Sequence, residues 1–360
     1  MAVGRKIVAL NDISRKDPFA DGETREIITS IYYPADVTHA QIGFNSYLDL
    51  FDPCKEMASI ILQDMGVDIE YLASLPIVII NDATPNLVHG RRPVILFSPG
   101  FGVTKDMYSY HVEELVCSGF VVISIGSTYE SIFTIFPDSR YSKQIEVLSN
   151  IKDSDYSLWQ KLLKTRVEDI LFVIKHLDLL IEGTNLGDVN WDDIGIVGHS
   201  LGGAAAFEVA KKDKRIRAGV MLDASFHLLN AKKNTKLGTP FLVMRQEKCT
   251  YDELLDELPE EIITSYIQGY ERTCNQLVGN RYTVKVQGAH HMTFSDIPLH
   301  YKELNVSEKH KTICSLLNAF LKEFLQGQAS SFQDIFYGKR PNGIKEIDIK
   351  GNLVNSKYLS

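Results

Sequence analysis

The stretch Ile194-Gly-Ile-Val197-Gly-His199-Ser200-Leu201-Gly-Gly203 decides the reading of this chain. Ile194–Val197 is a short apolar run of the kind expected for a strand buried on both faces. It leads directly into Gly198-His-Ser-Leu-Gly202. From Leu201 to about Lys212 the residues are small or apolar and read as a helix. A chain of this length meets a Gly-x-Ser-x-Gly pattern by chance with a probability of about 0.1, so the setting carries the argument. A strand, a sharp turn and a helix are what a strained nucleophilic serine requires. The two glycines remove side chains that would collide across the turn. The helix N-terminus beneath Ser200 favours negative charge developing there.

The same grammar continues on both sides. Upstream lie strands at 26–33, Val94–Phe97 and Phe120–Ile125, with a shorter one near Lys6–Leu10 and a helix near Lys105–Ser118. A long helix spans 157–181, with Leu163, Val167, Ile170, Leu171 and Ile174 on one stripe. Downstream are strands at Ala218–Leu222, Phe241–Met244 and Tyr282–Val286, and a last helix carries Ile313, Leu316, Leu317, Phe320, Leu321 and Phe324. Strands alternating with helices imply right-handed crossovers. The expected architecture is the α/β-hydrolase fold, a mainly parallel central sheet flanked by helices, in one domain over 1–327. Cap insertions are expected near 35–90, 130–156 and 250–280, over the C-terminal strand ends, and 328–360 is expected to be a C-terminal extension. A helix is expected near Tyr47–Met65.

Serine needs a histidine to take its proton, and the imidazole needs a carboxylate to orient it. In this fold the acid and then the base follow the serine, each at the end of a strand. Asp223 closes the apolar run Ala218–Leu222, and a carboxylate buried there needs a partner. His290 and His291 follow Tyr282–Val286; being neighbours, they point in different directions, so one of them is the base. Leu201 N–H, next to the nucleophile, is one expected oxyanion donor. The other comes from Ser98-Pro-Gly-Phe-Gly102, where Pro99 has no N–H and Phe101 has one.

Phe97-Ser-Pro-Gly-Phe-Gly102, Gly198-His-Ser-Leu-Gly-Gly203, Leu222-Asp-Ala224 and His291-Met-Thr-Phe-Ser-Asp296 together resemble the platelet-activating factor acetylhydrolase family, plasma type and bacterial relatives. Thr128-Tyr-Glu130, Phe136-Pro-Asp138 and Arg166-Val-Glu-Asp169 add to the likeness, which runs from about Arg25 to Phe324. The resemblance implies His291, not His290, as base, and Asp223 as acid. It also implies calcium-independent ester hydrolysis without metal or cofactor, acting in some members on the short acyl group of a phospholipid. Two departures sit near the acyl and leaving-group pockets. Many relatives have His where Pro99 stands, and often Asp-His where this chain has Gly126-Ser127.

Composition narrows the remaining choices. The 360 residues carry a formal net charge of −8 without a dense basic block, so no nucleic-acid partner is expected. Five cysteines, an odd number and scattered without a CxxC pair, argue against a disulfide framework and a zinc site. The N-terminal apolar stretch stops at Asn11-Asp12, too short for a signal-peptide core. Nor does any apolar run approach the roughly 20 residues of a membrane span. A cytoplasmic protein is expected.

The expected activity is cleavage of short-acyl or small soluble esters, phospholipid acyl esters included, by Ser200, Asp223 and His291. Amide or thioester cleavage, or acyl transfer, by the same machinery is the alternative. A binding protein on the same scaffold ranks last, since none of the three residues is missing. Oligomeric state is left open. Phe133, Ile135 and Phe136 are candidates for an acyl pocket.

Overall fold

The computed structural model describes residues 2–36, 45–87, 91–182, 184, 186–229, 235–255 and 257–354. Parts of the expected insertions (37–44, 88–90 and residue 256) and 355–360 of the extension lie outside them. Among the described residues a ten-stranded sheet forms the centre. Its strands lie in the order Ile344–Glu346, Arg281–Val286, Phe241–Arg245, Ile216–Leu222, Val189–His199, Arg92–Ser98, Val121–Ile125, Thr24–Ala35, Ala2–Lys16 and Ile79–Asn81. The six from Arg281–Val286 to Val121–Ile125 pair parallel. Thr24–Ala35 joins this block antiparallel, and so does Ile344–Glu346 at the far edge.

The core follows from the strand period of two. Ile95, Phe97 and Val122 face one side, with the helices Ser109–Cys117 and Val306–Gln326. Val94, Leu96, Val121 and Ile123 face the other, with Tyr156–Lys175 and Leu201–Ala210.

Several elements differ from expectation in extent. Ala2–Lys16 runs for 15 residues, and its polar end is satisfied locally, with Asp12 accepting from Ser14 and Arg15. The helix expected over 157–181 breaks at His176 into Tyr156–Lys175 and Leu177–Ile181. The one near Tyr47–Met65 splits around Asp52-Pro53 into a turn of 3-10 helix, Tyr47–Phe51, and the helix Lys55–Asp64. This segment covers the core: Tyr47, Leu50, Phe51 and Leu62 are buried.

Residues 332–346 are tied to the sheet. Ile344–Glu346 adds the edge strand beside Arg281–Val286. Phe332 and Phe336 are buried, their ring centroids 4.6 and 5.0 Å from that of Tyr282.

Candidate active site

Ser200 stands at φ 54°, ψ −120°, between the end of Val189–His199 and the start of Leu201–Ala210. Non-glycine residues are held in this left-handed region only where the surroundings enforce it. Here its N–H donates to Leu222 O at 3.0 Å and its carbonyl accepts from Ser225 N at 2.9 Å. Close approach explains the glycines: a Cβ on Gly198 would lie 2.1 Å from Gly202 O, and one on Gly202 would lie 2.1 Å from Ser98 O. The Ser200 hydroxyl meets Ser225 Oγ at 3.3 Å.

Asp223 follows the strand Ile216–Leu222, is 1% exposed, and receives His291 Nδ1 at 2.6 Å on Oδ2. Its Oδ1 accepts from Gln246 N and from Tyr266 Oη, each at 3.3 Å. Burial alone would raise this carboxyl's pKa. The His291 hydrogen bond and the charges of His291 and Arg245 outweigh it and hold the carboxyl at about 2. His290 faces away from this pair, with Nε2 2.8 Å from Glu303.

A directed chain of hydrogen bonds runs underneath. Gly100 N–H donates to Tyr108 Oη at 2.7 Å, and Tyr108 Oη lies 2.9 Å from His199 Nδ1. His199 Nε2 lies 3.0 Å from the His291 carbonyl, which can only accept. Nε2 therefore carries the proton, and Nδ1 accepts from the Tyr108 hydroxyl. Burial, then the neighbouring His291, pushes His199 down to about 3, so it is neutral.

Ser200, Asp223, Ser225 and His291 open on a cavity of about 930 Å³, with Phe101, Trp159, Leu254, Leu258, Ile262 and Tyr266 among its walls. That volume suits a small organic molecule. Two of the expected insertions reach it, through 152–156 and 254–266; the described residues of 35–90 contribute none of its lining. Nor do Phe133, Ile135 and Phe136, which are buried in the core, Phe133 edge-on to Phe51. Phe101 packs on Trp159, and Leu201, wholly buried, heads its helix behind Ser200. Among the described residues neither N–H donates to a backbone carbonyl.

Three contributors were not anticipated as part of the site. Arg245, closing the apolar strand Phe241–Arg245, sits behind Asp223; a charge ending a buried run is the signal that had marked Asp223. Tyr266, on the helix Glu260–Gln276, reaches the same carboxylate. Ser225 lies two residues after Asp223. Among the described residues no cluster of three His, Cys, Asp or Glu is placed to hold a metal ion, and no helix is long and apolar enough to cross a membrane.

Residues 16–312 match the model of the family described as platelet-activating factor acetylhydrolase, isoform II. The chain is 25% identical over 230 residues to the platelet-activating factor acetylhydrolase of Canis lupus familiaris, covering 57% of this chain and 48% of that protein. The values for the Bos taurus protein of the same name are identical. This chain thus spans about half the length of the curated relatives it matches. A solved ferulic acid esterase from Streptomyces cinnamoneus superposes with a TM-score of 0.76 at 24% identity, covering 96% of each chain, a likeness of fold.

Proposed function

The chain belongs to the platelet-activating factor acetylhydrolase isoform II family, and from that premise we propose that it is a carboxylic ester hydrolase with Ser200 as nucleophile, His291 as base and Asp223 as orienting acid. The observation that carries the reading is the sharing of one cavity by a strained Ser200 and a His291–Asp223 pair bonded at 2.6 Å.

In this reaction Ser200 Oγ attacks the ester carbonyl carbon while His291 Nε2 takes its proton. The imidazolium is held by its Nδ1–H on Asp223. The carbonyl oxygen becomes an oxyanion, accepting from the N–H groups of Phe101 and Leu201. Collapse breaks the ester C–O bond, and the leaving alcohol receives the proton from His291. Water then attacks the acyl-enzyme, His291 takes its proton and returns it to Ser200 Oγ, and the carboxylic acid departs.

The proposed substrates are dissolved esters with short acyl groups, phospholipid acyl esters included, in keeping with the cavity's volume and its walls of Phe101, Trp159 and Leu258. A cytoplasmic location is part of the proposal, supported by five unpaired cysteines, four of them buried. The test is a fluorophosphonate probe, which should label the wild-type protein and leave Ser200→Ala unlabelled. Equal labelling of both would end the assignment. Ester hydrolysis should be unchanged by EDTA.

A further inference from the structure

Arg166 is 2% exposed, and its hydrogen bonds converge on one loop and one carboxylate. It lies on the helix Tyr156–Lys175, against the C-terminal end of Arg92–Ser98. Its Nε donates to Glu130 Oε2 at 3.0 Å, and Nη2 donates to Oε1 of the same carboxylate, the two-pronged pairing that fixes a guanidinium plane. Glu130 is itself 2% exposed. The remaining donor capacity goes to the loop and the strand end before it: Nη1 to Pro99 O and to Ser98 Oγ at 3.5 Å, and Nη2 to Gly100 O at 3.1 Å.

The last of these contacts matters most. Gly100 C=O and Phe101 N–H belong to one peptide unit, which is trans, since the only cis bond among the described residues is Asp52-Pro53. In a trans peptide the two groups point in opposite directions. Anchoring the oxygen on Arg166 therefore turns the Phe101 N–H the other way. The preceding peptide is held at both ends, its oxygen by Arg166 and the Gly100 N–H by Tyr108 Oη at 2.7 Å. The loop cannot rotate at Gly100 without breaking buried bonds. A buried cation on the carbonyl side also polarises the peptide and strengthens the N–H as a donor.

We propose that Arg166, held by Glu130, is a positioning residue that presents the Phe101 N–H to the oxyanion of the reacting ester; this rests on the serine-hydrolase reading above. It touches no substrate atom and acts through the Gly100–Phe101 peptide.

The test compares wild type, Arg166→Met and Arg166→Lys on nitrophenyl butyrate, with rates normalised to sites titrated to completion by a fluorophosphonate. A lysine keeps the charge but lacks the fork that spans Glu130 and both carbonyls. Arg166→Met should lose about 100-fold in kcat, the scale of losing one oxyanion donor, and Arg166→Lys about tenfold or more. KM should change by no more than about threefold. The inhibition constant of a trifluoromethyl ketone, which forms an oxyanion on Ser200, should rise in step with the loss in kcat/KM. The pH profile should not move. If Arg166→Met does not fold, Arg166→Lys and Glu130→Gln supply the same comparison.

Folded variants with wild-type kcat and ketone affinity would overturn the proposal, as would losses that appear in KM or in the fraction of titratable sites. The failures are distinguishable. A wild type that hydrolyses no ester and ignores the probe removes the serine-hydrolase reading, and this inference with it. An active wild type matched by its Arg166 variants removes this inference alone.

Discussion

The guanidinium of Arg245 lies directly behind Asp223, with Nε 3.5 Å from Oδ1 and the two side chains 0% and 1% exposed. It is flanked by aromatic rings, its centre 4.8 Å from the Tyr266 ring centroid and 4.5 Å from that of Tyr270. The carboxylate that orients His291 thus feels a cation on its far side.

Arg245 should tune the working pH. Its positive charge opposes a second positive charge on His291, through the carboxylate they share. Removing it in Arg245→Met leaves the negative charge of Asp223 to act on His291 alone. The acidic limb of kcat/KM for a soluble nitrophenyl ester should then move to higher pH, while Arg245→Lys should stay near wild type. A limb that is the same in all three proteins would show that the guanidinium only fills space among the rings.

His291 and His290 should differ sharply. His291→Ala removes the partner of Asp223 and should lower kcat by about 10⁴-fold or more. His290 bonds Glu303 outside the cavity, and His290→Ala should stay within about tenfold of wild type. Steady-state kinetics on one ester decides this, and the opposite ranking would move the base by one residue.

Acid should unfold the protein early. Burial pushes His111 well below its ordinary value, His199 to about 3, and His227 and His300 to about 4. Below pH about 6.5 the unfolded chain binds protons at these rings that the native state does not, so stability falls with pH. Each ring contributes about 1.4 kcal/mol per pH unit, and the decline continues until the native rings titrate near 4 and 3. Asp223, held at about 2, adds a further loss only below pH about 4. Urea unfolding at pH 7, 6 and 5 measures this, and equal stability at all three would contradict it.

Substrate size should be limited. Walls contributed by 152–159 and 254–266 enclose a cavity of about 930 Å³, which suits dissolved substrates. Acetate to hexanoate esters of nitrophenol should be turned over well and long-chain triglyceride emulsions poorly, with no rise in rate at the solubility limit. A preference for palmitoyl over butyryl esters would argue for an interfacial lipase instead.

The legible parts of this site were those dictated by local chemistry. Glycines at 198 and 202 announce a turn where backbones nearly touch, and a lone carboxylate ending an apolar strand announces a buried partner. Arg245 carries the same signal but had no assigned role in the pattern. Tyr266 was invisible for a different reason: a helix shows which face is apolar, and only docking on Phe226, at 5.6 Å between ring centroids, aims this hydroxyl at Asp223. Ile79–Asn81 and Ile344–Glu346 were unreadable as strands because three residues are too few to display a period.

The closing segment of the chain bears on how the protein can be handled. Ile344–Glu346 occupies the hydrogen-bonding edge of Arg281–Val286, and Phe332 and Phe336 cover Tyr282. A protein shortened to residue 327 would offer its neighbours an open row of amides and carbonyls flanked by exposed rings. Such an edge recruits strands from other molecules. The shortened protein should sediment as aggregates even though every residue proposed for the chemistry is still present.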